Sequence, residues 1–506
     1  MGFIDSINSK LPGITDPKGF ISFKSRLKWT ALVLLLFLIL GQITLYGVEP
    51  TEKARLQFFE LILGSSLGSL ITLGIGPIVT ASIILQLLVG SKIIPWDLKS
   101  PEGRKKFQGT QKILTLIFAV FEAIAFVSFG AIRPASGDMG IITFLILQLA
   151  FGAILLMLMD EVCNKYGIGS GVSLFIAAGV AKQIFVRALN PLPPPGDTVP
   201  AGLIPQSVVF FGSGEISTAI ISLLPVIATL IVFAIVVYVQ ALKVDIPLAF
   251  GSVRGFGRRW PLKLIYTSNI PVILVAALLA NIQLVGSMVA KASEFGSKCG
   301  FLGCFDSQGI PTSGAVLFLQ APTSLQIQVF FLIFLAIAFT AGIVAFIFKF
   351  KNALRFIALS MIAAFILSAL ITYATVQLPT TIDIFRALTY FLVLVGGATI
   401  FSIFWVSTSG MDSKSVAEQI EGMGFQVPGF RRDPRIVEQV LQRYIPVLAI
   451  ISGVLIGSLA AVADFTGALG TGTGILLTVM IIYNFYEQIS QRYVEEMNPA
   501  IRKFFQ

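Results

Sequence analysis

Long apolar runs separated by short polar segments dominate the chain. The runs recur at about 20 residues, the length at which a helix crosses the hydrocarbon core of a bilayer. The pattern predicts spans at roughly 29–47, 70–90, 110–131, 139–160, 170–188, 217–241, 267–290, 325–348, 355–377, 386–407, 444–463 and 473–490. We therefore expect an all-α polytopic membrane protein with about twelve spans.

Composition agrees with this pattern and excludes several kinds of chemistry. Of the 506 residues, 56% are hydrophobic and 12% are charged, which is too little polar surface for a soluble domain. There are no histidines and only three cysteines, so we expect no metal site and no cofactor. The spans hold no paired aspartates and the chain no HExxH motif, so we expect no enzymatic activity.

The positions of the charges set the orientation. With the N-terminus in the cytoplasm, most of the 36 Lys and Arg residues fall on the inner side, as the positive-inside rule requires. Both termini are then cytoplasmic, and the net charge of +10 mainly reflects orientation. Two inner loops, at 243–263 and 408–443, are longer and more basic than orientation requires.

The apolar run at 56–89 has an unusual length. It would be roughly 51 Å long as a helix, too long for one crossing and too short for two crossings and a turn. Basic segments on both sides require one crossing, so the surplus must fold back under a cover of protein. The helix would break at a hinge formed by Gly74, Gly76 and Pro77. The alternative is tight helix packing through the GxxxG pair Gly64 and Gly68.

Five segments resemble the SecY family, the central pore-forming alpha subunit of the Sec protein translocase. Their sequences are most similar to the archaeal branch of the family. They are "ITLGIGPIVTASIILQLLVGS" (71–91), "KYGIGSGVSLFIAAGV" (165–180), "YTSNIPVILVAALLANIQL" (266–284), "IFWVSTSGMDSKS" (403–415) and "GALGTGTGILLTVMIIYNFYEQ" (467–488). The resemblance implies a SecY-type translocon fold of ten spans in two inverted halves, here 1–190 and 191–506, around a central pore. It also implies the function, a passive channel that translocates unfolded polypeptides and releases transmembrane segments through a lateral gate.

The resemblance also implies roles for individual residues. The outer side would be closed by a plug at about 56–70, whose matching residues are Phe58, Phe59, Leu61, Ile62, Leu63, Gly64, Ser65, Ser66, Leu67 and Gly68. The pore would be narrowed by an apolar ring, which can exclude water and still yield around a polypeptide. The matching ring residues are Ile75, Val79, Val172, Ile176, Ile270, Ile273 and Leu477.

The lateral gate should lie between the second and third spans and the family's seventh and eighth spans. Glu122 is a carboxylate deep in the third span, where charge is expensive, and Thr80, Gln86 and Asn269 are its candidate polar partners. In the alternative interpretation Glu122 snorkels or pairs only structurally.

The resemblance further implies docking of the ribosome at the two basic loops, through Arg254, Arg431 and Arg432, since arginine binds RNA phosphate regardless of sequence. Other implied partners are a SecE-type gamma subunit, a small beta subunit, nascent polypeptides with their signal sequences, and the lipid bilayer. The implied location is the cell membrane.

The chain departs from the family pattern in two places. A surplus pair of spans at about 325–377 should lie next to one arm of the gate. In an outer loop, Cys299 and Cys304 can bridge if their Cα atoms approach within about 7 Å; two free thiols are the alternative. A secondary transporter with broken helices remains a second functional hypothesis, although such a protein needs polar ligands at the midplane.

Overall fold

The computed structural model describes residues 13–17, 19, 21–48, 68–90, 93–96, 100–128, 132, 134–193, 199–250, 257–267, 270–292, 298–305, 311–347, 353–375, 378–422, 425–426, 434–470 and 472–496. Helices make up most of this part of the chain. Their bounds are α1 Phe23–Leu40, α2 Gly76–Gly90, α3 Pro101–Ser128, α4 Met139–Tyr166, α5 Gly171–Leu189, α6 Leu203–Gly212, α7 Ile216–Ala241, α8 Ile270–Val289, α9 Ala315–Phe318, α10 Leu325–Ile347, α11 Ala353–Thr375, α12 Thr381–Thr408, α13 Ser413–Gly422, α14 Pro434–Phe465 and α15 Gly472–Glu496.

The chain is a multi-pass membrane protein, and every predicted span overlaps one of these helices. Within the described residues, seven helices are long and apolar enough to cross a membrane: Glu102–Ser128, Met139–Tyr166, Gly171–Leu189, Ile216–Ala241, Leu325–Gly342, Thr381–Thr408 and Arg435–Phe465. Gly76–Val89, Ile270–Gln283 and Leu359–Ala374 are shorter apolar helices. The expected number of about twelve spans therefore stays a prediction.

Glycines allow a close helix contact between α12 and α14. A Cβ added at Gly453 would lie 2.6 Å from the Cα atom of Thr399, and one at Gly457 would lie 2.8 Å from the Cα atom of Val395. Two backbones this close need small residues, which is the usual way in which membrane helices gain van der Waals contact. Replacing Gly457 by leucine would separate the two helices.

Helices α2, α5, α8 and α15 converge at the centre of the molecule. Helix α2 packs along α3 and meets α8 and α12, while α5 and α15 lie side by side. The largest buried cluster runs through all of these helices except α3 and extends into α1, α4, α7, α10 and α14. The first residues of α2, the middle of α8 and the first turns of α15 therefore face a common centre.

The surplus helices α10 and α11 form a hairpin. Helix α11 contacts α10 through a small-residue face of Ala364, Ser368 and Thr372, which are fully buried, and α10 packs against α7 and α14. The expectation that this pair lies next to an arm of the gate is wrong, because its main partners are α7 and α14 and not α8 or α12.

Two small sheets occupy the loops. On one side, β1 (Lys243–Phe250) and β2 (Gly257–Lys263) form an antiparallel hairpin, and β7 (Phe425–Gln426) adds to the other edge of β1. The two basic loops that the sequence presents separately thus form one surface. On the other side, the strands β3 Lys291–Ala292, β4 Lys298–Gly300, β5 Gly303–Phe305 and β6 Pro311–Ser313 follow one another in a four-stranded sheet.

Candidate pore and lateral seam

A small cavity lies where α2, α5, α8 and α15 converge. Its volume is about 40 Å³, room for only a few water molecules. The lining is mostly apolar and consists of Ile75, Gly76, Val79, Thr80, Ile176, Ile273, Ala276, Ala277, Ala280, Asn281, Thr473, Gly474 and Leu477. Helices that are far apart in the sequence therefore share one narrow apolar space.

Five of the seven predicted ring residues line this cavity: Ile75, Val79, Ile176, Ile273 and Leu477. The other two lie at the starts of their helices and do not line it. Val172 is in the first turn of α5, where its backbone N–H donates to Asp160, and Ile270 is the first residue of α8. In this closed arrangement the cavity is lined one helical turn further along both helices, at Ile176 and Ile273.

Resemblance to the family did not supply all the lining residues. On α8 the lining positions are Ile273, Ala276, Ala277, Ala280 and Asn281, spaced as one face of a helix. That period was available in the sequence once Ile273 was assigned to the pore. Asn281 is the residue that this period would have added with most effect, because it contributes an amide to a lining that is mostly apolar.

The segment before α2 is irregular and buried. Ile71, Leu73 and Ile75 are each at most 2% exposed although residues 70–75 form successive turns and no helix. The backbone turns at Gly68 and Gly74, both with positive φ, and is bonded to the end of the first span through Leu45 N–H to the Gly68 carbonyl. Non-helical backbone in an apolar region is tolerated only under a cover of protein, as here.

The hinge predicted at this point has a defined geometry. Gly74 has φ +55°, α2 begins at Gly76, and Pro77 occupies its first turn, where a missing N–H leaves no bond unmade. Gly68 is the one predicted plug residue within the described part of the chain; Phe58 to Leu67 lie outside it.

The predicted gate residues do not form one polar group. The Thr80 hydroxyl donates to Oε1 of Glu122 over 3.3 Å, but both residues belong to the α2–α3 arm, so this bond does not cross the gate. The Gln86 amide donates to Ser82 of its own helix, which corrects its assignment as a partner of Glu122. Asn269 lies outside the described residues. The contact between the arms is made by α2 against α8 and α12, and we call it the lateral seam.

Two contacts fix the loop sheet and its flanking segments: one joins β2 to α15, and the other joins the segment after β2 to the segment between α12 and α13. Lys263 of β2 forms an ion pair with Glu487 of α15 and lies 5.8 Å from the centre of the Tyr483 ring. The Tyr266 hydroxyl donates to the Met411 carbonyl over 2.8 Å, and burial, with a smaller effect of Asp412, raises the pKa of Tyr266 to about 12. The predicted docking residues Arg254, Arg431 and Arg432 lie outside the described residues.

The opposite sheet holds the two cysteines of the outer loop. Cys299 and Cys304 face each other across β4 and β5 and are joined by a disulfide. Cys163 is a buried free thiol. In the described part of the chain, no group of three or more metal-ligating side chains is close enough to bind an ion.

The converging helices, the narrow apolar cavity and the lateral seam define a class of protein: a polytopic membrane protein built around a central apolar constriction. The family model for SecY matches residues 69–486. Protein translocase subunit SecY of Pyrococcus furiosus is 38% identical over 510 aligned residues, which cover 98% of this chain and 97% of the relative. The chain therefore belongs to the SecY family.

Solved structures agree with this assignment. "The structure of a protein conducting channel" aligns with a TM-score of 0.77 at 38% identity and covers 98% of both chains. "Sec61 in the Canine ribosome-channel complex from the endoplasmic reticulum" aligns with a TM-score of 0.74, at the same identity and coverage. The likeness extends over almost the whole chain and is not confined to one half.

Proposed function

We propose that this chain is the pore-forming subunit of a protein-conducting channel, which passes unfolded polypeptides across the membrane and releases apolar segments sideways into lipid. The observation that carries the proposal is the cavity of about 40 Å³ lined by branched side chains from four converging helices. The relatives named above are translocase subunits, which supports this function over a secondary transporter.

The cavity suits a seal that must also open. A narrow apolar constriction excludes water, and an ion in it would lose its hydration shell without gaining a charged partner. Ile75, Ile176 and Leu477 are each at most 7% exposed, so the resting channel is closed by packed side chains. An extended polypeptide could displace these side chains without being held by them, since dispersion contacts are weak and non-directional.

Sideways release would occur at the lateral seam. Separation of α2 from α8 and α12 would open the cavity toward lipid, because Val79 and Thr80 of α2 and Ala276 and Ala280 of α8 line the cavity directly. An apolar signal helix could occupy the opened seam, replacing one helix–helix contact by another of similar energy. The plug at about 56–70 would seal the outer side of the channel by packing on the buried segment at 69–75.

The sheet formed by β1, β2 and β7 would dock the ribosome, with Arg254, Arg431 and Arg432 on RNA phosphate. Pairing of β1 with β7 supports one shared docking surface, since it joins both loops. A gamma subunit of SecE type and a small beta subunit would complete the complex, in the cell membrane with both termini cytoplasmic. The chain would act as a passive conduit without catalysis, and the driving force would come from its partners.

Crosslinking tests the pore. A photo-crosslinking residue at Ile273, which lines the cavity, should capture a ribosome-stalled nascent chain, as should one at Ile75 or Val79. Leu278, on the same helix and 47% exposed, is the matched control and should capture lipid instead. Equal capture at Ile273 and Leu278, or none at either, would count against a central polypeptide path.

Deletion and charge reversal test the plug and the docking surface. Deleting 58–68 should raise the resting ion conductance in reconstituted bilayers, and an unchanged conductance would remove the plug from the proposal. Arg254→Glu combined with Arg431→Glu should weaken ribosome binding and flatten its salt dependence. Lys105→Glu, on the exposed first half of α3, is the control; binding equally weakened by this change would refute a localised site.

A further inference from the structure

Two aspartates have the same structural role at opposite ends of the pore. Near the end of α4, Oδ1 of Asp160 accepts the backbone N–H of Val172 over 2.9 Å, and the carboxylate also accepts the backbone N–H of Gly171. At the end of α14, Oδ1 of Asp464 accepts the backbone N–H groups of Gly472 over 2.7 Å and Thr473 over 3.3 Å. Each carboxylate therefore caps the first turn of the next helix, α5 or α15, both of which line the cavity.

The backbone around each cap is alike in detail. A glycine with positive φ precedes each helix, Gly169 at +74° and Gly470 at +90°, and a second glycine begins each helix. A Cβ at Gly171 would lie 2.6 Å from the Cα atom of Asp160, and one at Gly472 would lie 2.1 Å from the carbonyl carbon of Ala463. The first turn of each helix thus packs directly on the chain at the preceding aspartate, which is possible only without a side chain.

The two capped helices run in opposite directions. A Cβ at Gly169, just before α5, would lie 3.0 Å from the ring of Phe485 in the second half of α15. The start of α5 therefore lies beside the later turns of α15, and the two caps are at opposite ends of this helix pair. One cap sets the height of Ile176, and the other sets the height of Thr473 and Leu477 in the cavity.

The two carboxylates differ in their third partner: Asp160 interacts with the Asn164 side chain of its own helix, whereas Asp464 interacts with a side chain of another helix. Its second oxygen, Oδ2, accepts the hydroxyl of Tyr390 over 2.7 Å, and Tyr390 belongs to α12, a helix of the lateral seam. The Tyr390 side chain is buried, and its ring packs 5.9 Å from that of Phe465. A movement of α12 that opens the seam would pull on the carboxylate that holds the first turn of α15.

We propose that Asp160 and Asp464 are paired positioning residues that fix the pore-lining faces of α5 and α15, and that Tyr390 couples the Asp464 cap to the opening of the lateral seam. The inference rests on the proposed function only in taking the cavity as the polypeptide path. The capping geometry itself does not depend on that function. A substrate need not touch either aspartate.

The test combines two measurements on the full-length protein in lipid. Hydrogen exchange of the amides at 171–174 and 472–475 reports the caps, and resting ion conductance reports the seal. Asp464→Ala should speed exchange at 472–475 about fivefold, the factor expected for a lost cap, and raise the conductance. Asp160→Ala should do the same at 171–174. Asp464→Asn and Asp160→Asn keep an accepting oxygen and should retain wild-type hydrogen exchange and wild-type conductance.

Tyr390→Phe provides a variant that removes only a hydroxyl and keeps the packing. It should leave hydrogen exchange at 171–174 unchanged and speed exchange at 472–475. It should also raise conductance less than Asp464→Ala does. Unchanged exchange in the alanine variants would overturn the capping role. Faster exchange with wild-type conductance would overturn the link to the pore, provided that the variant lacking 58–68 conducts in the same bilayers.

If the variant lacking 58–68 also shows no rise in conductance, the proposed channel seal is contradicted and the caps are not. The hydrogen-exchange measurement alone then decides whether the aspartates cap the helices. Asparagine variants as leaky as the alanine variants would also overturn the proposal, because an accepting oxygen would then be irrelevant. Wild-type behaviour restored by asparagine at both positions is the result that supports it.

Discussion

The close approach of α4 to the buried turns before α2 gives the sharpest prediction for stability and sealing together. A Cβ at Gly152 would lie 1.8 Å from the carbonyl oxygen of Leu70 and 2.8 Å from its carbon. Ordinary contact begins near 3.4 Å, so Gly152→Ala requires one backbone to move by about 1.6 Å. The obstacle is main chain, which cannot rotate away as a side chain can.

The displaced segment is buried and leads into the pore. Ile71 and Leu73 are each 1% exposed, so a shift of Leu70 must disturb well-packed neighbours as well as the turn at Gly74. Overpacking of this kind costs about 1–3 kcal/mol. We expect Gly152→Ala to lower the free energy of unfolding by that amount and to raise resting conductance, because Ile75 of the cavity follows directly on the displaced turns.

The assay is thermal unfolding in detergent, followed by conductance in reconstituted bilayers. Gly396→Ala is the control: Gly396 is also inside a helix, but a Cβ there meets nothing within 4 Å. This change should stabilise slightly, by about 0.5–1 kcal/mol from helix propensity. If Gly152→Ala is as stable and as tightly sealed as Gly396→Ala, the close approach of α4 to Leu70 is not a constraint on the protein.

Three further predictions address other contacts. In a double-mutant cycle, Lys263→Ala and Glu487→Ala should show a coupling of about 0.5–1 kcal/mol in the free energy of unfolding. The coupling should fall with added salt, since both side chains are partly exposed. Additive effects would mean that the ion pair does not join the loop sheet to α15. Gly467→Ala should lower the free energy of unfolding by about 1–2 kcal/mol, because φ is +63° and the new Cβ would lie 2.6 Å from the Gln328 side chain. Adding Gln328→Ala should recover part of this loss in thermal unfolding. No recovery would mean that backbone strain is the whole cause. Cys304→Ser should lower local stability by about 2 kcal/mol, the entropy of a short closed loop, seen as faster hydrogen exchange at 298–313 with unchanged conductance. A change in conductance would mean that this sheet, which packs on α8, acts on the cavity.

Spans were predictable from the sequence because the length of an apolar run is set by the bilayer, whereas helix ends were not. The third span was predicted from 110 and the eleventh from 444, but α3 begins at Pro101 and α14 at Pro434. Both helices continue past the apolar part into polar sequence. Hydropathy detects only the portion that lies in hydrocarbon, so the aqueous extension of a helix carries no such signal.

The loop sheet was not predictable for a different reason. Its strands contain Pro247 and Pro261, which argue against strand structure in a local reading, and β1 pairs with a strand more than 170 residues away, Phe250 with Phe425. The proline signal is local and argues for the wrong structure, whereas the pairing of β1 with β7 is non-local and has no signal in either segment alone. Each of these prolines lies within the hairpin formed by β1 and β2.

The pore could be predicted only in part. Of the seven ring residues that the resemblance implies, Ile75, Val79, Ile176, Ile273 and Leu477 line one cavity, whereas Val172 and Ile270 lie one turn away from it. Gly-Ser-Gly at 169–171 and Gly-Thr-Gly at 470–472 stand in the sequence, but motifs this short did not predict a structural repeat. The spacing from each aspartate to the following helix differs between the halves, so no fixed period marks the repeat, and only the structure shows that the hydrogen bonds are alike.

The hairpin of α10 and α11 bears on these caps, because α10 reaches the Asp464 junction. The ring of Phe331 in α10 packs 4.8 Å from the ring of Phe465, the residue after Asp464, and the Phe465 ring also contacts Tyr390. The ring contacts of α10 therefore support the junction at which Asp464 caps α15, while the main contacts of the hairpin are with α7 and α14.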